Sequence, residues 1–419
     1  MSVLDQQIIT ICQQSRIASG ELQNCSSDSI NKALLGMAAL LQRSRTVLKK
    51  ENARDVSAAL KNKMAPAMVD RLTIKDSTID SMISGLKVVA SLSTPLWQVF
   101  DKSRRPNGLT VCKVKVPIGV VGIIYESRPN VTVDSAAICL KSQNAVILRG
   151  GSESFYSNVI LSRLFAQACK KAGVPQNAIQ SIPTTDRAAV STLLKQSDTV
   201  DLIIPRGGES LIRAVVEQSH IPVIKHYKGV CHIYVAGSAD IKKAIAISIN
   251  AKVQRPSVCN AMETLLLDSK LSINTQKKII ESFIAEGVTL FGDTAVQKLN
   301  KTVKKATEAD WFAEYLDLRL AVKVVKGVEA AISHINHYGS HHTDAIITKS
   351  KTEADHFIRL VDSASVMVNT STRFADGGEY GMGCEIGIST DKLHARGPMG
   401  VNDLTTYKWI VQGNGQIRS

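Results

Sequence analysis

The chain of 419 residues is 44% hydrophobic, 21% charged and 5% aromatic, which supplies a large core and excludes disordered and fibrous classes. Its 51 Lys and Arg residues against 37 Asp and Glu residues give a net charge of +14, which favours anionic ligands. The basic residues are dispersed without a tract of roughly five to eight, and aromatic side chains are too few for base stacking. No nucleic-acid partner is therefore expected.

The amino-terminal hundred residues are predicted to be mostly helical. Within residues 31–62, Leu34, Met37, Leu41 and Leu48 recur at steps of three, four and seven residues and would share one helix face. The first residues, MSVLDQQIITICQQSR, lack the apolar core of a signal peptide, and no apolar stretch is long enough for a transmembrane helix. A cytoplasmic location without a membrane partner is expected.

From residue 119 onward, strand-like and helix-like segments alternate. The strand-like segments are GVVGIIY, NAVILRGG, VDLIIPRGG, HIYVAG, ETLLLD, RLAVKVVKG, DAIITKS and SVMVN. The helix-like segments are SESFYSNVILSRLFAQACKKAG, DRAAVSTLLKQ, ESLIRAVVEQS, DIKKAIAISINAKV, NTQKKIIESFIAEG, EAAISHINHYG and EADHFIRLVDS. Strands separated by helices of this length predict parallel sheets covered on both faces, and hence an α/β fold of two lobes.

Two further strand-like segments, LTVCKVKV and TTYKWIVQG, lie outside this alternation. Both have the pattern of exposed edges that are free to pair with another chain. They predict a homo-oligomer, either a dimer or a tetramer.

Two glycine pairs, in Leu148–Gly151 and Pro205–Gly208, share one design. Each follows an apolar strand and an arginine, and each precedes a helix with an early glutamate. Backbone N–H groups at a helix N-terminus bind phosphate, glycine permits its close approach, and arginine adds donors. One such turn is ordinarily a tight connection, but two in a basic protein favour a nucleotide site. GxGxxG and GxxxxGK[ST] are both absent, so a dinucleotide would be held differently.

The eight cysteines include no CxxC pair, which argues against zinc-ribbon and thioredoxin-like sites and fits a reducing compartment. A cysteine is more often a small buried hydrophobe than a nucleophile, and Cys139 and Cys169 fit that role on apolar helix faces. Cys259 differs because it follows the turn signal Gln-Arg-Pro-Ser and precedes Asn260. Arg255 would help to stabilise a thiolate there, so Cys259 is the best candidate nucleophile.

Four stretches become recognisable together: VPIGVVGIIYESRPNVTVDSAAICLKSQNAVILRGGSES, PRGGESLI, VQRPSVCNAMETLL and AISHINHYGSHHTDAI. With the later GMGCEIGISTDKLHARGPMG, they resemble the gamma-glutamyl phosphate reductases, or glutamate-5-semialdehyde dehydrogenases, of the aldehyde dehydrogenase superfamily. The resemblance spans nearly the whole chain. It implies a Rossmann-like NADP-binding domain at 1–100 and 119–228, a catalytic domain at 229–395, and oligomerisation strands at 101–118 and 396–419.

The resemblance implies an activity, the NADPH-dependent reduction of L-glutamyl 5-phosphate to L-glutamate 5-semialdehyde with release of phosphate. This is the second step of proline biosynthesis from glutamate. A thiolate would displace phosphate to form a thioester, and hydride from NADPH would convert it to a thiohemiacetal that releases the aldehyde. A transient contact with glutamate 5-kinase would suit this pathway.

The resemblance also implies roles for particular residues. Cys259 corresponds to the catalytic thiol, and Asn130, in RPNVT, to the amide that joins the Cys259 N–H in the oxyanion hole. Arg149 stands where a lysine usually contacts the cofactor ribose, and Glu314 where a glutamate binds the nicotinamide ribose. Further expected cofactor contacts are Gly150, Ser152, Arg206, Gly207 and Gly208. The candidates for the substrate carboxylate and phosphate are Asn369, Ser371 and Arg373, with surface charge as the alternative for Arg373.

Two departures from hydrolytic aldehyde dehydrogenases favour a reductase. No carboxylate occurs between Val223 and Ile233, where those enzymes carry the glutamate that activates water. A thioester that awaits hydride is protected by that absence. The glutamate that binds the adenosine 2′-hydroxyl in NAD-preferring relatives falls near Ser152, with Arg149 close by, which predicts a preference for NADPH.

Four histidines, His334, His337, His341 and His342, raise the question of a metal site. Only Asp344 clusters with them in sequence, and the family signature contains such histidines without a metal. Structural or substrate-polarising roles are therefore expected, and no metal.

Two other functions remain open. A CoA-dependent or other acylating aldehyde dehydrogenase would share the thioester, but it would not require phosphate to oxidise glutamate semialdehyde. A non-catalytic protein that binds nucleic acid or a partner kinase through its basic surface would keep its function after Cys259→Ala.

Overall fold

The computed structural model describes residues 2–126 and 128–418, which form two compact units. The first unit comprises Met1–Lys225, Gly381–Gly387 and Met399–Ser419, and the second comprises His226–Tyr380 and Ile388–Pro398. Among the helices described, none combines the length and the apolar character needed to cross a bilayer.

The first unit contains a four-stranded parallel sheet with helices around it. Its helices are α1 Val3–Leu22, α2 Ser27–Arg43, α3 Arg45–Lys61, α4 Pro66–Leu72, α5 Asp76–Ser91, α6 Asn130–Lys141, α7 Phe155–Lys171, α8 Ala188–Leu193 and α9 Glu209–Gln218. Its strands are β1 Val99–Arg104, β2 Thr110–Pro117, β3 Val120–Tyr125, β4 Ala145–Gly150, β5 Ile179–Ser181 and β6 Leu202–Arg206. The parallel sheet has the order β5-β4-β3-β6. All six residues of β3 are buried, as expected for a central strand covered on both faces.

The second unit contains a seven-stranded parallel sheet. Its strands are β7 Cys231–Val235, β8 Met262–Asp268, β9 Thr289–Gly292, β10 Lys304–Lys305, β11 Arg319–Val325, β12 Thr343–Ile347 and β13 Ser365–Val368. Its helices are α10 Ile241–Val253, α11 Ile273–Ala285, α12 Thr294–Leu299, α13 Glu308–Trp311, α14 Gly327–Tyr338 and α15 Lys351–Leu360. The strand order is β10-β9-β11-β8-β7-β12-β13, and all seven residues of β8 are buried. The predicted α/β fold with two parallel sheets is confirmed.

The predicted helical stretch at residues 31–62 is two helices rather than one. The backbone leaves helical geometry at Ser44, which ends α2 and begins α3. Leu34, Met37 and Leu41 are buried together on α2, whereas Leu48 is buried on α3. The expectation of a single face was wrong because the apolar spacing continues across the break.

The two predicted edge segments pair with each other. After a two-stranded sheet of β14 Gly387–Ser389 and β15 Gly397–Met399, the chain forms β16 Thr405–Gln412. Strand β2 lies between β1 and β16 and pairs antiparallel with both. The expectation of an exposed edge was therefore wrong for β2, whose two edges are occupied within the chain.

Candidate active site

Cys259 lies in the turn between the end of α10 and the start of β8, as predicted, and its side chain is partly exposed. The next residue, Asn260, is only 4% exposed. Its Nδ2 donates to the carbonyl oxygen of Ala375 at 2.9 Å, and the Thr372 hydroxyl donates to the Asn260 carbonyl oxygen at 2.7 Å. The turn therefore has one anchored residue immediately after the exposed thiol.

The backbone of Cys259 is also packed from the side of β7. A Cβ on Gly229 would lie 1.9 Å from the Cys259 carbonyl oxygen, so only glycine fits. The Cys231 thiol donates to the same oxygen at 3.2 Å. These contacts fix the carbonyl of Cys259, while the residue as a whole remains partly exposed.

Arg373 lies beside the Cys259 turn. Its Nε donates to Gln254 Oε1 at 2.9 Å, and its guanidinium also binds the Asn260 side chain. Burial and then the nearby Arg255 cation lower the pKa of Arg373, while the Asp376 carboxylate and then the Cys259 thiol act in the opposite direction. Two cations near one thiol form a suitable environment for an anionic substrate group.

The other two predicted substrate contacts, Asn369 and Ser371, differ in the hydrogen bonds that their side chains make. Asn369 accepts from the Thr348 N–H and donates to the Thr348 carbonyl oxygen, both at 2.9 Å, so both ends of its amide are engaged. Ser371 is buried, and its hydroxyl accepts from the Arg373 N–H at 3.3 Å. Of the three, Arg373 has the charge best suited to an anion.

Glu314 follows α13 and reaches Gly229, two residues before β7. Its Oε1 accepts from the Gly229 N–H at 2.9 Å. Because Gly229 packs against the Cys259 backbone, the structure brings the predicted ribose-binding carboxylate and the predicted nucleophile to the same glycine.

Burial raises the thiol pKa of several other cysteines. It raises the pKa of Cys139 and Cys231 above the ordinary thiol value. It also raises the pKa of the partly exposed Cys384 to about 12. Thiols held in this form are poor nucleophiles, which leaves them structural roles.

Asn130 begins α6 in the first unit. Its Nδ2 donates to Asp134 Oδ2 at 3.1 Å, which fixes the orientation of the amide. Burial raises the pKa of Asp134 to about 6, opposed by the Asn130 hydrogen bond and by the Arg206 cation. The predicted oxyanion donor therefore has a carboxylate partner that the sequence did not reveal.

The turn between β6 and α9 is held by a carboxylate. Glu126 Oε2 accepts from the Gly208 N–H at 2.9 Å, and a Cβ on Gly207 would lie 2.4 Å from the same oxygen. Arg206 packs against Gly387, where an added Cβ would lie 2.8 Å from a guanidinium nitrogen. An anionic group at this helix N-terminus shows that its N–H donors favour negative charge.

The turn after β4 carries the other predicted cofactor contacts. Arg149 is 9% exposed, its Nη2 donates to the Thr185 carbonyl oxygen at 3.2 Å, and its buried Nε has no hydrogen-bond partner. A Cβ on Gly150 would lie 2.0 Å from Asn158 Nδ2, which requires glycine there. Ser152 is exposed, but the next residue, Glu153, interacts electrostatically with Arg149. A carboxylate therefore lies next to Ser152 and interacts with Arg149.

These two turns fit a nicotinamide dinucleotide. The buried Nε of Arg149, which has no hydrogen-bond partner, and the glycine backbone at Gly207 and Gly208 would be suitable donors for ribose and pyrophosphate oxygens. Glu126 would have to give up the Gly208 N–H for a phosphate to bind there.

Two of the four predicted histidines, His334 and His342, are buried, whereas His337 is exposed and His341 is partly exposed. His334 stands edge-on to Trp311 and close to Tyr338, with ring centroids 5.5 and 4.4 Å away. His232 Nδ1 lies 2.9 Å from Asp344 Oδ1, and Lys323 Nζ lies 3.4 Å from His334 Nδ1. Within the part of the chain that the structure describes, no three His, Cys, Asp or Glu residues are grouped to hold a metal ion.

Sequence reasoning missed five residues that shape the site: Gly229, Cys231, Glu126, Asp134 and Glu263. Gly229, Cys231 and Glu126 act through partners distant in sequence, whereas Asp134 binds Asn130 four residues away on the same helix. Glu263 had a local signal, since a carboxylate in the apolar run METLLLD requires a buried partner.

Comparison with known proteins identifies relatives across the whole chain. A model of the aldehyde dehydrogenase family matches residues 5–293. A gamma-glutamyl phosphate reductase from Desulfatibacillum aliphaticivorans is 51% identical over 98% of this chain and 99% of its own. One from Geotalea daltonii is 51% identical over 99% of both chains.

Solved structures agree. The gamma-glutamyl phosphate reductase from Thermotoga maritima is 41% identical, covers 98% of this chain and 100% of its own, and superposes with a TM-score of 0.96. An acetylating aldehyde dehydrogenase from Geobacillus thermoglucosidasius is 16% identical, covers 99% of this chain and 98% of its own, and shares the fold with a TM-score of 0.70. The resemblance inferred from the sequence is confirmed: the chain is an oxidoreductase of the aldehyde dehydrogenase family and belongs, within it, to the gamma-glutamyl phosphate reductases.

Proposed function

We propose that this protein reduces L-glutamyl 5-phosphate to L-glutamate 5-semialdehyde with NADPH and releases phosphate, the second step of proline biosynthesis. The observation that carries the proposal is the partly exposed Cys259 in a fixed turn. It is supported by a relative named gamma-glutamyl phosphate reductase, which is 51% identical along almost the full length of the chain. An immobilised backbone with an accessible thiol is what nucleophilic attack on an acyl phosphate requires.

In the first step the Cys259 thiolate attacks the acyl carbon of the substrate. The new carbon–sulfur bond forms, the carbonyl becomes a tetrahedral oxyanion, and its collapse expels phosphate to leave a thioester. The Cys259 N–H and the Asn130 amide are the proposed oxyanion donors, and each donor of this kind contributes about 3–4 kcal/mol. Asp134 holds the Asn130 amide in its orientation before substrate arrives.

In the second step the thioester becomes the aldehyde. A coenzyme held by the residues named below would supply the hydride that reduces the thioester. The thiohemiacetal on Cys259 would then release the aldehyde and leave the thiolate. Glu314 is proposed to hold the nicotinamide ribose, Arg149, Gly150 and Ser152 the adenosine ribose side, and Arg206, Gly207 and Gly208 the pyrophosphate. Water must be kept from the thioester, and no carboxylate occurs between Val223 and Ile233 to activate it.

The substrate is proposed to bind beside Cys259 through its anionic groups. Arg373, with Arg255 nearby, supplies positive charge for the phosphate or the α-carboxylate. Ser371 and Asn369 complete the proposed substrate contacts, with Asn369 acting through the Thr348 backbone that it already binds.

The reverse reaction gives the clearest test of the activity. Purified protein with glutamate 5-semialdehyde and NADP⁺ should form NADPH only when inorganic phosphate is added. Cys259→Ala should lower the rate at least about a thousandfold because the covalent route is lost. Coenzyme A replacing phosphate would instead assign the protein to the CoA-acylating enzymes, whose fold it shares at low identity.

The coenzyme is proposed to be NADPH rather than NADH. Ser152 removes one carboxylate from the ribose side, and Arg149 adds a cation, although Glu153 stands next to both. Equal kcat/KM values for NADPH and NADH would contradict this preference, and Glu153→Gln should strengthen it.

The first unit is proposed to bind the coenzyme and the second to carry the chemistry, in a cytoplasmic enzyme. Residues 101–118 and 396–419 are proposed to mediate a dimer or tetramer, because Tyr407, Trp409 and Val411 on β16 are at least half exposed. Sedimentation as a monomer would contradict this. A transient contact with glutamate 5-kinase is also proposed, and it would fail if the two proteins sediment independently at every ratio.

A further inference from the structure

A buried ion pair flanks the Cys259 turn. Lys252, at the end of α10, and Glu263, in β8, have fully buried side chains, with Lys252 Nζ 2.6 Å from Glu263 Oε2. The two residues precede and follow Cys259 in sequence, and the steps described above use neither of them. The placement of two charges away from water at this position requires an explanation.

Stability does not supply that explanation. Burial raises the pKa of Glu263 to about 7 and lowers the pKa of Lys252, and in each residue the charged partner opposes the shift. Removing two ions from water costs several kcal/mol, and an apolar pair of similar volume is often as stable or more stable. A charged pair at this position is therefore better explained by the conformation that it specifies.

The second oxygen of Glu263 reaches the segment that carries Glu314. Glu263 Oε1 accepts from the Leu316 N–H at 3.2 Å, and Leu316 has a left-handed backbone with φ of 53°. Tyr315 lies between Glu314 and Leu316 in sequence. Its ring lies 5.9 Å from Lys252 Nζ, and its hydroxyl donates to Asp310 at 2.8 Å. The pair therefore holds a backbone conformation that a non-glycine residue rarely adopts.

A series of contacts connects Glu263 to the backbone of Cys259. Glu263 holds Leu316, Glu314 holds the Gly229 N–H at 2.9 Å, and Gly229 packs on the Cys259 backbone. Glu263 itself is the second residue of β8, the strand that follows the Cys259 turn. Each link is a hydrogen bond or a contact with no space for a methyl group, so a change at Glu263 is transmitted to Glu314.

We propose that Lys252 and Glu263 are positioning residues that hold the Glu314 carboxylate in place relative to the Cys259 turn. Neither touches substrate or coenzyme; both act through the 314–316 backbone. The consequence for catalysis rests on the proposed role of Glu314 in coenzyme binding, whereas the mechanical coupling to Gly229 does not.

The test uses the full-length enzyme and the variants Glu263→Gln, Glu314→Gln and the combination of the two. Glu263→Gln and Glu314→Gln should each raise the KM for NADPH about ten- to a hundredfold, since a displacement of about 1 Å has effects of this size. The double variant should be no worse than Glu314→Gln alone, because both changes remove one function. Multiplication of the two effects would overturn the inference.

Amide hydrogen exchange gives a readout that does not depend on the reaction. Glu263→Gln should accelerate exchange at both Leu316 and Gly229, whereas Glu314→Gln should accelerate exchange at Gly229 only. Unchanged exchange at Gly229 in Glu263→Gln would overturn the inference. If exchange behaves as expected while Glu314→Gln leaves the KM for NADPH unchanged, the coenzyme role proposed for Glu314 fails and the positioning role stands.

Two controls separate positioning from loss of stability. Lys252→Met combined with Glu263→Met should recover Tm relative to either single change but retain the raised KM. Tyr234→Phe removes a hydroxyl that donates to buried Asp268 at 2.8 Å in the same sheet, and it should lower Tm without changing the KM. Recovery of the KM in the double Met variant would also overturn the inference.

Discussion

A glycine makes a close contact at the turn that carries Cys259 and another does so at the turn that carries Gly207, but the atoms in contact differ. At Gly229 the missing Cβ would meet the backbone of Cys259, whereas at Gly207 it would meet the ends of the Glu126 and Leu211 side chains. A backbone cannot move without moving the nucleophile, but a side chain can rotate away. The first turn is therefore rigid, and the second can adapt when a ligand binds.

This difference suits the two proposed tasks. Covalent attack depends on the placement of one sulfur atom, so the surrounding backbone is fixed in advance. A coenzyme enters and leaves in every cycle, and Glu126 can hold the helix N-terminus in its absence. Variants that add one methyl group at each glycine compare the two turns directly.

Gly229→Ala should have the largest effect. Its methyl group would lie 1.9 Å from the Cys259 carbonyl oxygen, so the turn must shift. We expect kcat to fall at least about a hundredfold and the free energy of unfolding to fall by about 1–3 kcal/mol, measured by steady-state kinetics and chemical denaturation.

Gly20→Ala is the matched control for this change. Gly20 lies in α1, and an added Cβ would have no neighbour within 4 Å. This variant should keep full activity and gain up to about 1 kcal/mol of stability. Full activity in Gly229→Ala would refute the claim that the Cys259 turn is rigid.

Gly207→Ala should have a smaller and different effect. Its methyl group would lie 2.4 Å from Glu126 Oε2 and 2.8 Å from Leu211 Cδ2, and both side chains can move. The KM for NADPH should rise about tenfold, because backbone approach to the pyrophosphate is hindered, while the rate of Cys259 alkylation stays the same. Adding Glu126→Ala should restore part of the affinity, and a further loss would contradict this.

The smallest expected effect concerns stability at low pH. Burial, and then the neighbouring His232 and Lys323, lower the pKa of His334 to about 2. The unfolded chain takes up this proton near pH 6.5 while the folded chain does not. The free energy of unfolding should therefore decrease as the pH falls below about 6.5.

His334→Phe should reduce this dependence on pH, since phenylalanine keeps the ring contacts and removes the titrating group. Tm measured between pH 6.5 and 4.5 should decline less steeply in this variant than in the wild type. Parallel slopes for wild type and His334→Phe would show that another group governs the acid range.

The sequence predicted those parts of the fold that have a local signal. Buried runs such as β3 and β8, separated by amphipathic helices, predicted parallel sheets without knowledge of the partners. Strand β5 has three residues and β10 is two exposed lysines, so neither carries an apolar pattern. The pairing of β2 with β16 was missed because it joins distant parts of the chain.

The candidate site also has residues with a local sequence signal and residues without one. Cys259 was predicted as a nucleophile from the turn residues that precede it. The family motif in which it lies indicated which reaction it would catalyse. The contact of Glu126 with Gly208 spans 82 residues, and that of Glu314 with Gly229 spans 85, so no local pattern encodes them. Such contacts are set by the packing of whole elements.

The most direct test of the central claim is the mass of the enzyme during turnover. Enzyme incubated with glutamate 5-semialdehyde and NADP⁺ without phosphate should accumulate a glutamyl adduct, and peptide mapping should place it on Cys259. Adding phosphate should discharge the adduct at the rate of turnover. Sustained turnover with an unmodified Cys259, or an adduct located on another residue, would contradict the account.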